Sequence, residues 1–251
     1  HFYTSNVANV FTDQATPSGL STSNQSTYNG DSGTYTNWDS WTPTIDDVIL
    51  VSVVNTDGTN AILPASVTGN SLTWTQVNTQ QYDGSTRRIT SFRALVTASV
   101  STGTIVVDFS GDSQTSCSIV VTTVAGCKTT GTNAADAIVQ SVAFTGPTAQ
   151  VASGTLAVFG DVNNSTYFCA VKNGTSLLLA DTTPTGYTLS TLQANSLPNT
   201  VNGAEWNVAN DTAPQMTWTT NALWAAIGVE IAVAGTTVVS AKRLALLGVG
   251  S

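Results

Sequence analysis

The chain has 251 residues, a formal net charge of −8, charged side chains at 9% and apolar residues at 41%. This acidic, charge-poor balance argues against a basic face for nucleic acid, and the apolar content argues against a disordered chain. Glu205 and Glu230 are the only glutamates; the rest of the acidity is aspartate, which belongs in turns and leaves little for long surface helices.

Residues 1–34 are polar and turn-rich. They predict a short strand near Val7–Phe11 and then a long loop or arm that reaches a neighbouring subunit, because loops of this length are uncommon inside compact domains. From there the chain reads strand, turn, strand. TYTNWDSWT leads into DVILVSVVN (47–55), an apolar run suited to a core strand. SLTWTQVNTQQY (71–82) and RRITSFRALVT (87–97) flank Asp83-Gly84, a hairpin signal. GTIVVDFSG (103–111), CSIVVTTVAG (117–126), AIVQSVAFTG (137–146) and TLAVFGDVN (155–163) follow as strands. SLLLADTT (176–183), AEWNVAND (204–211), QMTWTT (215–220) and WAAIGVEIAVAG (224–235) complete the series. About a dozen β-rich segments with regular turns predict an all-β fold: a two-sheet antiparallel β-sandwich over 35–235, with jelly-roll-like connectivity. The tail, TTVVSAKRLALLGVGS (236–251), is too poor in polar residues to stand alone and is expected to add a strand to this sandwich or to a neighbour.

Catalytic constellations are sparse. The single histidine is His1, so a fixed internal base for Ser–His or Cys–His chemistry is not expected, nor is a zinc site. Asp108, Asp161, Glu205 and Glu230 offer carboxylates for a glycosidase pair, but no spacing singles two of them out. Asp39, Asp46 and Asp47 match no calcium loop and read as turn residues. No cofactor is expected and the chain reads as a non-enzyme. The longest apolar run, 223–235, contains Glu230 and is too short to cross a membrane, so no membrane partner is expected. Cys117 and Cys127 bracket one strand and cannot bond to each other; buried thiols are favoured over a bridge to Cys169.

Two residue sets carry the functional expectations. Arg87, Arg88 and Arg93 supply three of the seven cations within one predicted strand. Alternation puts Arg87, Ile89, Ser91, Arg93 and Leu95 on one face and Arg88, Thr90, Phe92, Ala94 and Val96 on the other. Neither face is polar throughout, and Arg87 and Arg93 lie about 20 Å apart along a strand. The readings are therefore internal bracing by aspartate or carbonyl, a subunit contact, or a ligand site. Lys242 and Arg243 in the tail join the possible subunit contacts. Six tryptophans form the second set; Trp206 and Trp218, beside amides and hydroxyls, are the candidates for a glycan platform, against the alternative that they fill the core.

The phrases SLTWTQVNTQQYDGSTRRITSFRALVT, GTIVVDFSGDSQTSCSIVVTTVAG and WAAIGVEIAV resemble a group of β-sandwich proteins of tailed-phage genomes and some bacterial surface proteins. KRLALLGVG is similar to the endings of small phage reading frames. The resemblance implies a virion structural role, either capsid decoration (cement) or tail component. It also implies a homo-oligomer such as a trimer, with a capsid or tail protein as partner. The alternative is a carbohydrate-binding or adhesion module, secreted or at a cell surface, that meets a host-surface glycan.

Overall fold

A computed structural model describes residues 24–37, 40–193 and 199–235. They form thirteen strands and one 3-10 turn, Ala135–Ala137, with no α-helix among the described residues. The expected strand near Val7–Phe11 and the tail 236–251 lie outside the described residues.

The strands make three antiparallel sheets rather than two. The central sheet runs β1 (Asn24–Ser32), β8 (Gln114–Val124), β3 (Val48–Thr56), β6 (Arg87–Leu95), β5 (Thr75–Tyr82). A small sheet runs β2 (Thr34–Thr36), β7 (Ile105–Asp108), β4 (Ser66–Gly69). The third runs β11 (Thr188–Gln193), β12 (Thr200–Asn207), β10 (Ser165–Asn173), β13 (Gln215–Ile231), β9 (Ile138–Ser153). From Asn24 onward the polar N-terminal stretch is thus strand, paired with β8, where a loop or arm to residue 34 was expected.

A third sheet exists because β3 is apolar at both parities. Leu50 and Val54 meet Tyr167, Cys169 and Ile227 of the third sheet. Ile49, Val51 and Val53 turn the other way, onto Tyr35, Ile105 and Val107 of the small sheet. Every residue of β3 is buried. A strand covered on both faces needs no polar alternation, which accounts for the unbroken run VILVSVVN. A polar relay at the middle of the larger interface joins β3, β12 and β8. Ser52 Oγ donates to Asn202 Oδ1 at 3.3 Å, and Asn202 Nδ2 donates to Ser118 Oγ at 3.3 Å. A buried hydrogen-bonded relay of this kind fixes how two otherwise greasy sheets slide against each other.

The outer face of the third sheet is covered by its own chain. β9 and β13 are long, and their register shifts between Thr217 and Ala222. Beyond that break Ala152, Met216 and Trp218 pack with Phe168, Ala170, Val201 and Ala226 in a third core. A Cβ on Gly154 would lie 2.2 Å from the Phe144 ring, so glycine is what lets the ribbon come this close. Leu178 joins that core, and Leu179 bridges to Thr217.

The hairpin between β5 and β6 forms where expected. Asp83, Gly84 and Ser85 all have positive φ, and Thr86 N donates to the Asp83 carbonyl at 3.2 Å. The expected strands at 155–163 and 176–183 are instead irregular, while β10 and β11 arise from segments not expected to be strands. The segments at 215–220 and 224–235 are one strand through Ile231. All three cysteines are free and buried.

Candidate functional site

The three arginines are each taken up by their own chain. Arg87 forms an ion pair with Asp83, four residues earlier across the hairpin turn, and Asn173 Nδ2 donates to the same Asp83 oxygen at 2.8 Å. Arg88 Nε donates to the Ala61 carbonyl at 3.0 Å and its Nη1 to Thr79 Oγ1 at 3.0 Å. Arg93 Nε donates to the Asn133 carbonyl at 3.1 Å. Ile89 and Leu95 sit in the core against the third sheet, and Phe92 and Val96 in the core against the small sheet, which places the arginines on the two faces that alternation assigns. Partial burial pulls Arg88 and Arg93 below the usual guanidinium range. The structure therefore brings the arginines to one strand but not to one site. Lys242 and Arg243 lie outside the described residues.

The two candidate glycan rings are core residues. Trp206 is 7% exposed between the central and third sheets, and Trp218 is 3% exposed beneath the folded-over ribbon. Trp218 Nε1 donates to the Ala149 carbonyl at 3.0 Å. Neither ring presents a face to a sugar, because each lies where two layers of sheet must be filled.

Sequence reasoning passed over Lys172. It is fully buried on the outer face of the third sheet, with Nζ 5.9 Å from the Trp218 ring centroid and donating to the Asn173 carbonyl at 3.2 Å. Burial pulls its amine down to about 8.

Both glutamates face the same side of that sheet and both are fully buried. Glu205 Oε2 accepts from Asp181 N at 2.8 Å. Burial pushes Glu205 up to about 9; the Asp181 N–H opposes that rise, while the Asp181 and Asp211 charges add to it. Tyr187 donates to Asp211 Oδ2 at 2.9 Å, and burial, then Asp211, raise the phenol. Asp181 in turn accepts from Thr182 N, Thr183 N and Gln215 N, closing the loop over the glutamate. An acid pair for glycoside hydrolysis needs access to a substrate, and these carboxyls sit under backbone. Among the described residues no group of three or more His, Cys, Asp or Glu is placed to hold a metal ion. A cleft of about 440 Å³ beside Leu72, Leu95, Thr97, Val100 and Asn133 has no titratable group in its lining.

Glu230 organises the most distinctive surface. Its Oε2 accepts from Gln140 Nε2 at 2.6 Å, and its Oε1 accepts from Asn164 Nδ2 at 2.6 Å and Gly160 N at 3.3 Å. Gln140 also clamps both polar groups of Ala157, and Leu156 N donates to the Thr212 carbonyl at 2.8 Å. The loop 155–164 is held at both ends and in the middle, yet Val158 is 88% exposed and Val162 79%. Val208, 42% exposed, lies in the adjoining loop; Asn210 Nδ2 reaches the Val162 carbonyl at 3.0 Å and Ser165 Oγ the Val208 carbonyl at 3.4 Å. Single exposed apolar side chains are ordinary; these three stand on loops that are bonded to each other and to the sheet, which makes them candidates for a contact region. The signal in the sequence was Val-Phe-Gly-Asp-Val itself, which alternates like a strand while its glycine and aspartate favour a turn.

No protein-family model, curated protein or solved structure matches the chain.

Proposed function

We propose that this chain is a virion structural protein of a tailed phage, a capsid decoration or tail component that works by self-association and by contact with a shell or tail protein. The observation that carries the structural part of this reading is the pinned, valine-bearing loop: a buried carboxylate and two buried or half-buried amides are used to hold apolar side chains in water. Such an arrangement makes physical sense when something covers the valines. The virion part leans on the sequence phrases and on connectivity. In residues 24–124 the antiparallel partners include β1 with β8, β2 with β7 and β3 with β6. These nested pairs are the wrapping order of an eight-stranded jelly roll, an architecture shared by viral capsid and lectin domains. We read this half of the chain as a jelly roll in which β5 has joined the central sheet beside β6.

The test is the mass of the intact chain in solution by light scattering, with and without residues 236–251. A closed ring, a trimer for example, is expected for the full chain, at a multiple of 25.9 kDa. A concentration-independent monomer for the full chain overturns the reading.

A further inference from the structure

We infer that Val158, Val162 and Val208 form the seat for the C-terminal segment, 236–251, of a second copy of this chain; this rests on the self-assembly reading above.

Four observations converge on that occupant. The valines are presented by backbone that cannot fold away, since Glu230, Gln140 and Asn164 fix the loop that carries two of them. The described chain ends close to the loop's base: Asn164, whose amide holds Glu230, accepts Val233 N on its own Oδ1 at 3.1 Å, and Ala234 N donates to the Gly126 carbonyl at 3.0 Å, one residue before the last described one. The segment 236–251 is suited to cover valines, with Val238, Val239, Leu244, Leu246, Leu247 and Val249 among its sixteen residues. Its charges also fit, for Lys242 and Arg243 would approach Asp161, which stands between Val158 and Val162.

A neighbour's segment is taken as the occupant because the self-assembly reading requires a contact between copies. Sixteen residues reach about 50 Å when extended, enough to leave one copy and lie on the next. A segment of one copy on the loop of the next is a head-to-tail contact, which closes into a ring when the rotation between copies allows it. Burying three valine side chains contributes apolar area at the interface core, and the basic pair against Asp161 sets direction more than affinity.

The experiment uses the full chain throughout. Val158→Asp with Val162→Asp alters only side chains that already face water, so the fold is retained. The measured mass should fall by the oligomer factor, about threefold for a trimer, and should fall equally on deleting 236–251. A cross-link test runs in parallel. Cys117, Cys127 and Cys169 are buried, so an added surface thiol is the reactive one. Full-length Val162→Cys mixed with full-length Leu246→Cys should give a disulfide-linked pair of chains under mild oxidation. If the deletion disperses the assembly while the double aspartate variant does not, the segment seats elsewhere and the inference falls while self-assembly stands. If Val162→Cys and Leu246→Cys in one chain link within that chain only, the seat is filled in cis and the inference again falls. A monomeric full chain removes both readings together.

Discussion

Glu230 and Glu205 occupy the same face of the same sheet and are equally hidden from water, but they hold their loops in different ways. Glu230 has a donor on each oxygen, from Gln140 on one side and Asn164 and Gly160 on the other. Glu205 has one backbone donor, from Asp181, and its Oε1 is buried without a hydrogen-bond partner. Two further carboxylates, Asp181 and Asp211, stand near enough to raise it. Burial alone does not decide what a buried acid does. The number of donors aimed at it, and the sign of the charges behind them, separate a clamp from a neutral acid tucked under a loop.

That contrast can be broken most severely at Glu230. Glu230→Ala leaves the Asn164 amide nitrogen and the Gly160 N–H without this acceptor and takes one of two acceptors from Gln140 Nε2, so a loss of about 3 kcal/mol is expected in urea unfolding. The Val158–Val162 loop should become the first region to exchange amide hydrogens. At Glu205 the expectation is a pH slope. Its carboxyl ionises near 4.5 when unfolded and near 9 when folded, so the folded state holds the extra proton between those values. Stability should therefore fall as pH rises through that window, by up to about 1.4 kcal/mol per unit from this group. Glu205→Gln, which keeps the shape and cannot ionise, should match the parent near pH 4 and exceed it increasingly toward pH 9 in paired urea titrations.

Lys172 sharpens the same comparison with the opposite charge. Its amine is pulled to about 8 from 10.5, so its penalty is fully present below pH 8 and is relieved as pH climbs to 10.5. Lys172→Met should stabilise by about 1 kcal/mol at pH 7 and lose that advantage above pH 10.5, read from melts across that range. The smallest effect is expected at the hairpin. Arg87→Ala removes one half-buried ion pair and should cost about 0.5 kcal/mol, leaving the oligomeric mass unchanged. A change in mass there would return Arg87 to the interface.

The sequence revealed strands where one period dominated. VILVSVVN and the Asp83-Gly84 turn were readable because a doubly covered strand and a left-handed turn each demand a narrow set of residues. The alternation of Arg87 to Val96 was readable for the same reason. STYFCAVKN was missed as the middle strand of the third sheet because Thr166 and Lys172 point into a layer that the chain itself folds over. Polar residues there look like solvent-facing ones until the cover is known. TLAVFGDVN misled in the opposite sense: only Leu156 turns inward, and its valines stay outside. Trp206 and Trp218 could not be assigned to core or surface without knowing how many layers stack. The seat for the tail depends on Gln140, Asn164 and Glu230 meeting across three separate segments, which no local pattern announces.

The pairing of β1 with β8 also sets a timetable for synthesis. A ribosome delivers Asn24–Ser32 early, yet its hydrogen-bonding partner, Gln114–Val124, emerges only after six other strands have been made. Until then β3 has one neighbour at most, and its second apolar face waits still longer, for strands ending at Ile231. Non-local pairing of this kind slows folding and leaves greasy edges open in the interim. The nascent chain is therefore most vulnerable to sticking between the completion of β6 and the arrival of β8, and slowing translation at that point should lower the soluble yield.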